Sequence, residues 1–327
     1  MLGKKSIITA LSITVFIFWI IAIWWSWMPE TYDVRAKTMA EAKANNQQMV
    51  PGYTTVSTLI HVTEWLLNKQ GGFISNDMTP PGIFMDDMPA FEYGALEQIR
   101  DLALAMRLDF SRSQSQSTGD KDLEIAQSKL NIAHTSWQLP SAENEYEDAI
   151  VALKRYRTRL LSPTNTEAQF YTRADNLGSW LREVEKRLGS ISHRLSASVG
   201  HERFDTTLAG DPTAKKSTST AKKIIQKTSW WKIDDVFYES RGATWAILHF
   251  LKAAEIDFAD VLEKKNAQIS LKQIIRDLES TQDTVWSPMI LNGSGFGLLA
   301  NHSLVMANYV SRANAALIDL RRLLEQG

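Results

Sequence analysis

Hydrophobic and polar positions follow two different regimes along this chain. From Ile7 to Met28 no charge occurs, and the apolar run is broken only by Thr and Ser. Wound as a helix, these 22 residues cover about 33 Å, enough to cross a hydrocarbon core about 30 Å thick. A helix satisfies its own backbone and each hydroxyl can bond a carbonyl one turn back, so Thr and Ser are tolerated there. Lys4 and Lys5 flank the start, Trp24, Trp25 and Trp27 crowd the exit, and Glu30 and Asp33 follow. Indoles favour the headgroup layer, and lysines are retained on the cytoplasmic side. The pattern predicts a cytoplasmic stub over 1–5, a transmembrane anchor over 6–28, and everything after Pro29 outside the cytoplasm. A cleaved signal peptide would carry an apolar stretch of about 7–15 residues ending at a small-residue site. This run is longer and ends in Trp-Trp-Ser-Trp-Met. No second stretch between 30 and 327 reaches about 18 uncharged apolar residues, so a single pass is expected.

Past the anchor the apolar positions recur at steps of three and four. Phe170, Ala174, Leu177, Leu181, Val184, Leu188, Ile191 and Leu195 form one seam, with charged residues between them. Phe237, Ser240, Thr244, Ile247, Leu251, Ala254, Phe258 and Val261 form a second, and Leu299, Ser303, Met306, Val310, Ala313, Leu317, Leu320 and Leu324 a third. A repeat near 3.5 residues is the packing stripe of a helix lying along its neighbours. Thr164 with Glu167 makes a capping box for the first seam, Gly200 a stop, and Ser270 with Gln273 a second box. Shorter helices fit 54–69, 90–112, 141–161 and 270–285. No segment shows sustained period-2 alternation. The expected fold is all-α: a single N-terminal transmembrane helix followed by an elongated antiparallel helical bundle. The polar run 111–122 reads as a loop. The Ser/Thr/Lys-rich stretch 201–229 reads as a flexible linker between an N-terminal half, 29–200, and a C-terminal half, 230–327.

Composition narrows the function classes. Among 327 residues, 36 basic and 37 acidic side chains give a net charge of -1, which offers no electrostatic footprint for nucleic acid. Setting aside Lys4 and Lys5, the exported part carries -3. With no cysteine, disulfides, Fe–S clusters, thiolate zinc sites and cysteine nucleophiles are all excluded. One span cannot enclose a transport path alone, and five cytoplasmic residues hold no output domain.

Catalytic motifs are scarce. HExxH, Walker A, G-x-S-x-G, EF-hand and dinucleotide signatures are all absent from the sequence. Gly293-Ser-Gly295-Phe-Gly297 imitates a phosphate cradle but lacks a feeding strand and a following lysine, and reads as an interhelical turn. His61 and Glu64 sit one turn apart, yet no second such pair completes a metal site. His249, inside the apolar run 245–251, reads as a hydrogen-bonded core residue. His302 beside Ser303 reads as helix-entry packing, and Asp86-Asp87 as a helix cap or surface pair. No cofactor or metal is expected. Two loops rich in apolar residues, 71–94 and 286–297, must cover the bundle end or dock on something. The candidate interaction surface is therefore Phe73, Ile83, Phe84, Asp86, Asp87, Phe91, Trp286, Asn292, Phe296 and His302.

Several stretches carry a resemblance. GYTT (52–55), NKQGGFISNDMTPPG (68–82), DFSRSQSQS (109–117) and FYTRADNL (170–177) carry it in the first half. LSASVG (195–200), DDVFYESRGATWA (234–246) and WSPMILNGSGFGLLANHSLVMANYVSRANAALIDL (286–320) carry it in the second. The chain resembles a family of proteobacterial inner-membrane-associated proteins with a domain of unknown function. The resemblance implies a bacterial envelope protein with its bulk in the periplasm, and carries over no catalytic or binding residue. The leading expectation is a non-enzymatic, membrane-tethered periplasmic scaffold or interaction module. Its partners would be the bilayer, through 6–28, and another envelope protein or a second copy. A periplasmic small-molecule sensor is one alternative; an envelope glycan or lipid enzyme using Asp86, Asp87 and His302 is another.

Overall fold

The computed structural model describes residues 3–112, 119–162, 168–204, 223–294 and 297–326. Eleven α-helices occur among them. They are α1 (Lys4–Trp25), α2 (Val34–Ala44), α3 (Tyr53–Asn68), α4 (Asp87–Ala105), α5 (Lys121–Leu130) and α6 (Ala142–Leu160), followed by α7 (Ala174–Ser196), α8 (Ile233–Asp257), α9 (Ala259–Lys264), α10 (Gln268–Glu279) and α11 (His302–Glu325). Local chemistry sets several starts. Asp33 accepts from Ala36 N–H at the head of α2, Asp120 from Asp122 and Leu123 N–H at α5, Ser141 from Asn144 N–H at α6, and Asn301 from Leu304 N–H at α11.

The helices share one core drawn from both sides of the Lys-rich stretch. Its centre is the pair α4 and α8. These run parallel: Asp87 lies near Asp234 and Asp235, Gly94 against Glu239, and Phe110 against Phe258. Two glycines set their separation. A Cβ on Gly94 would stand 1.9 Å from the Glu239 carbonyl oxygen, and one on Gly242 2.0 Å from that of Phe91. The closeness lets Phe91 and Trp245 meet at 5.9 Å between ring centroids, with Trp65 of α3 against both at 5.7 and 5.1 Å. Each such pair contributes about 0.5–1.5 kcal/mol beyond area burial. Around this pair the other neighbours run antiparallel: α3 with α6 and α8, α5 with α4 and α6, and α10 with α8 and α11. The first and third expected seams, α7 and α11, also pack antiparallel, joined by Ser192–Ser311 and Arg321–Glu185 bonds.

The boundaries differ from expectation where tertiary contacts claim the backbone. The seam helix expected from 164 starts at Ala174; just before it, Tyr171 N–H donates to Phe110 O at 2.7 Å and Arg173 is extended. Phe170 instead plugs the space above Gly52, whose φ of +89° and missing Cβ admit the ring. The proposed cap Thr164–Glu167 lies outside the described residues. The second seam breaks at Phe258, where the Asp257 carboxylate turns to accept from Thr55 N–H and Oγ1–H, both at 2.7 Å. Ser270 and Gln273 form no capping box, since α10 already begins at Gln268. The helix expected over 90–112 begins at Asp87 and closes in a wider π turn, Met106–Phe110. Two short strands flank the middle of the stretch expected as a flexible linker. Strands β1 (His201–Phe204) and β2 (Lys223–Gln226) pair antiparallel, His201 opposite Gln226, and Thr228 N–H on Ala197 O closes their base. Its residues 205–222, and 113–118 of the polar run, lie outside the described set.

Candidate functional site

Because α4 and α8 begin side by side, the loops entering them gather at one end of the bundle. The loop after α3 is held there by a buried ion pair, Lys69 Nζ to Glu92 Oε1 at 2.7 Å, with both side chains out of solvent. Glu92 also accepts from Ile74 N–H (2.9 Å), Ser75 N–H (2.8 Å) and Ser75 Oγ–H, while Lys69 donates to Gly72 O. Burial pushes the Glu92 carboxyl up and the Lys69 ammonium down, and their mutual attraction opposes both shifts. The sequence held one sign of this. Glu92 interrupts the apolar stripe Met88, Ala95, Ile99, and an acid on such a stripe must find a partner.

The same loop receives α1. Trp25 lies on Gly71, whose φ is +85° and whose absent Cβ would meet the indole at 2.5 Å. From there the chain is tied down almost at once. Trp245 Nε1–H donates to Glu30 O at 3.3 Å, Tyr32 N–H donates to His249 Nε2 at 3.2 Å, and the Tyr32 ring stacks on the imidazole at 4.1 Å. His249 Nδ1 faces Trp245 O at 2.7 Å, so Nδ1 carries the proton and Nε2 stays free to accept. Burial lowers this imidazole to about 4. His249 is thus the hydrogen-bonded core residue its apolar setting predicts.

Four carboxylates collect where α4 and α8 start: Asp86, Asp87, Asp234 and Asp235. Asp86 caps α4 by accepting from Asp87 N–H at 3.0 Å. Burial, then the charges of Asp86, Asp234 and Asp235, raise Asp87 to about 7. His61 and Glu64 do not converge. His61 pairs with Glu41 at 3.0 Å and Glu64 with Lys154 at 2.6 Å.

On the opposite flank, the segment between α10 and α11 folds into a closed turn. Asn301 Nδ2–H donates to Asn292 Oδ1 and Gly293 O, Asn292 Nδ2–H to Ser198 O, and Gly293 N–H to Ala300 O. Within the Gly-rich run, Gly293 N–H is thus spent on Ala300 O and Gly297 N–H on Ser294 O, while residues 295–296 lie outside the described set. His302 accepts from Leu291 N–H at Nδ1 (3.1 Å), and Ser303 is buried in the helix interface. Beside it lies a cavity of about 200 Å³ whose lining includes Phe237, Arg241, Asp283, Trp286, His302 and Tyr309. Arg241 is committed there to the carbonyls of Asp283 and Gln282.

The expected surface residues divide accordingly. Ile83 and Phe84 are exposed, Asp86 is exposed, Asp87 is half-buried, and Trp286 is exposed. Phe73 and Phe91 correct the expectation: both are buried, Phe73 edge-on to Tyr146 of α6 and Phe91 on the inner face of α4 in the Trp65–Trp245 cluster, because α6, and α3 with α8, bring aromatic rings opposite them. Asn292 and His302 act as struts of the turn, and Phe296 lies outside the described residues. The loops 71–94 and 286–297 occupy the same end, and the cavity is lined by the second without the first. Of the expected anchor residues, Lys4, Lys5, Trp24 and Trp27 are exposed, while Trp25 packs on the body.

No curated protein and no solved structure matches the chain. A family profile described as an uncharacterized protein conserved in bacteria does match, over residues 3–327. Covering nearly all of the chain, that match makes it a member of the DUF2333 family of uncharacterised bacterial proteins.

Proposed function

We propose that this protein is a membrane-tethered helical module of the bacterial envelope, with Lys4 and Lys5 on the cytoplasmic side and the body in the periplasm. One observation carries the reading: α1 carries no charge from Ile7 to Trp25, and none of its residues is fully buried, Trp25 at its end resting on Gly71. A core helix would hide its apolar faces, whereas those of α1 are largely bare apart from Trp25. Just past the helix, Glu30 O accepts from Trp245 and Tyr32 N–H donates to His249. The body acts as a scaffold or binding surface for another envelope component. In favour of a non-catalytic role, Asp86 accepts from Asp87 N–H as a helix cap and His302 from Leu291 N–H as a turn strut, local structural bonds that do not join the two into one constellation. A small-molecule sensor is the second reading: the cavity beside Trp286 is below the about 300–1,000 Å³ of ordinary ligand pockets, while a cavity of about 430 Å³ lined by Tyr32, Arg35, Lys252 and Glu255 falls within that range.

Alkaline phosphatase fused after Gln326 should be active in cells and the fusion should resist carbonate extraction. An inactive phosphatase, or release by carbonate, overturns the tethered periplasmic reading. In-cell cross-linking of the full chain should then yield a discrete larger species, and recovery of monomer alone overturns the scaffold role.

A further inference from the structure

We infer that the end of the bundle where α4 and α8 begin rests in the headgroup layer of the bilayer crossed by α1, so that the protein touches the membrane through its body as well as its anchor. The inference rests on α1 being a membrane span, as proposed above. Its first support is the absence of slack between the two. Trp25, the last residue of α1, already contacts Gly71, and Glu30 and Tyr32 are bonded to α8. A tether with no free residues cannot hold the loop 69–84 far from the point where the helix leaves the lipid. From that point the chain moves along α8 from Trp245 to His249 and then into α2, toward the opposite end of the bundle.

The second support is what this end displays. Phe84 is 80% exposed, Trp230 67% and Trp231 79%, and all three stand at the entries to α4 and α8. Trp137 and Leu139 are exposed in the neighbouring loop, which is bound to this end by Asn76 Nδ2–H on Ser136 O at 2.9 Å. Trp286 adjoins, 94% exposed. Isolated exposed apolar residues are ordinary, but six from four separate loops around the exit of an anchor are the arrangement an interfacial belt requires. Indole rings are stabilised there because the ring body meets acyl chains while the N–H stays wet, and Phe84 and Leu139 add apolar area.

Charge identifies the lipid. Asp86, Asp87, Asp234 and Asp235 lie among these rings and outnumber Lys227 and Lys232, which flank Trp230 and Trp231. Anionic headgroups would be repelled, whereas the ammonium of a zwitterionic phospholipid is attracted. The expected surface is therefore rich in zwitterionic lipid.

The chain has no cysteine, so single-cysteine variants of the full-length protein carry a spin label without background. Phe84→Cys, Trp231→Cys, Phe16→Cys and Ile269→Cys all replace exposed side chains and leave the core intact. In phosphatidylcholine proteoliposomes, collision with oxygen against a water-soluble nickel chelate reports depth. Labels at 84 and 231 should read as interfacial, 16 as deep, and 269, in α10 at the far end, as aqueous. If 16 is deep but 84 and 231 are aqueous, the body stands clear and this inference fails while the anchor stands. If 16 is aqueous, both fail. Shielding of 84 and 231 from both reagents would mean a protein partner covers this end, and also overturns the inference. Raising the phosphatidylglycerol fraction should make the 84 and 231 labels shallower; deeper labels would refute the zwitterionic assignment.

Discussion

Replacing Lys69 by Met tests the physical account of the bundle end most directly. The thioether keeps most of the lysine stem, so packing changes little, while the ammonium is lost. Glu92 then remains fully buried with three neutral donors, Ile74 N–H, Ser75 N–H and Ser75 Oγ–H, and no counter-charge. Breaking a buried pair in this way costs about 3–5 kcal/mol, because the surviving charge keeps its desolvation penalty. The double variant Lys69→Met with Glu92→Gln removes both charges. Its amide oxygen serves one of the two backbone N–H groups, and the remaining donor conflict costs about 1–3 kcal/mol. The double variant should therefore be more stable than Lys69→Met alone by about 2 kcal/mol. Urea unfolding of the detergent-solubilised full chain, followed by circular dichroism, measures this. With a slope of about 3 kcal/mol per M, Lys69→Met should lower the midpoint by about 1 M, and the second substitution should restore about half of that. A Lys69→Met midpoint equal to that of the parent, or further loss in the double variant, would refute the account.

Other outcomes follow from the same geometry. Asp87 is held at about 7 when folded against an ordinary 3.8, so its contribution favours folding at low pH and is lost as pH rises through 7. Discounted for its partial exposure, the effect is about 1–2 kcal/mol. Asp87→Asn should raise Tm at pH 8 and leave it unchanged at pH 4; an equal shift at both would refute the electrostatic cause. His249 has the opposite slope. Its imidazole is lowered from 6.5 to about 4, so about 3 kcal/mol of stability present above 6.5 is lost as pH falls from 6.5 to 4. Protonation at Nε2 removes the acceptor for Tyr32 N–H, so the hydrogen-exchange protection of that amide should drop over this range in the parent and not in His249→Gln. Gly94→Ala and Gly178→Ala form a matched pair. Each gains about 1 kcal/mol of helix propensity, but the Gly94 methyl meets Glu239 O at 1.9 Å while nothing lies within 4 Å of the Gly178 position. Thermal melts should show the first destabilised by about 1–2 kcal/mol net and the second stabilised; stabilisation of both would mean α4 and α8 separate freely.

Local periodicity carried much of this protein, and its failures have particular causes. The stripe in α7 and the apolar run of α1 are legible because one residue class recurs along one face. Helix α2 escaped notice because its buried face is only Val34, Thr38 and Ala42. Helix α5 adjoins a polar run that hides its Asp120 cap. Exposure was the less legible property. Phe73, Phe91 and Phe84 are equivalent as sequence, yet the first two are core and the third is bare, since that depends on what the rest of the chain brings opposite them.

By itself, the sequence determined that the chain is helical, that one helix is apolar enough to span a bilayer, and which charges flank it, because these properties depend on residues within a few turns of one another. The tertiary structure alone decided that α4 and α8 run parallel at glycine contact, that Lys69 finds Glu92, and that α1 leaves the body with no slack beside Gly71. Those pairings join residues up to about two hundred positions apart, as Tyr32 and His249 are, and their energies come from burial and shape, which no local pattern encodes.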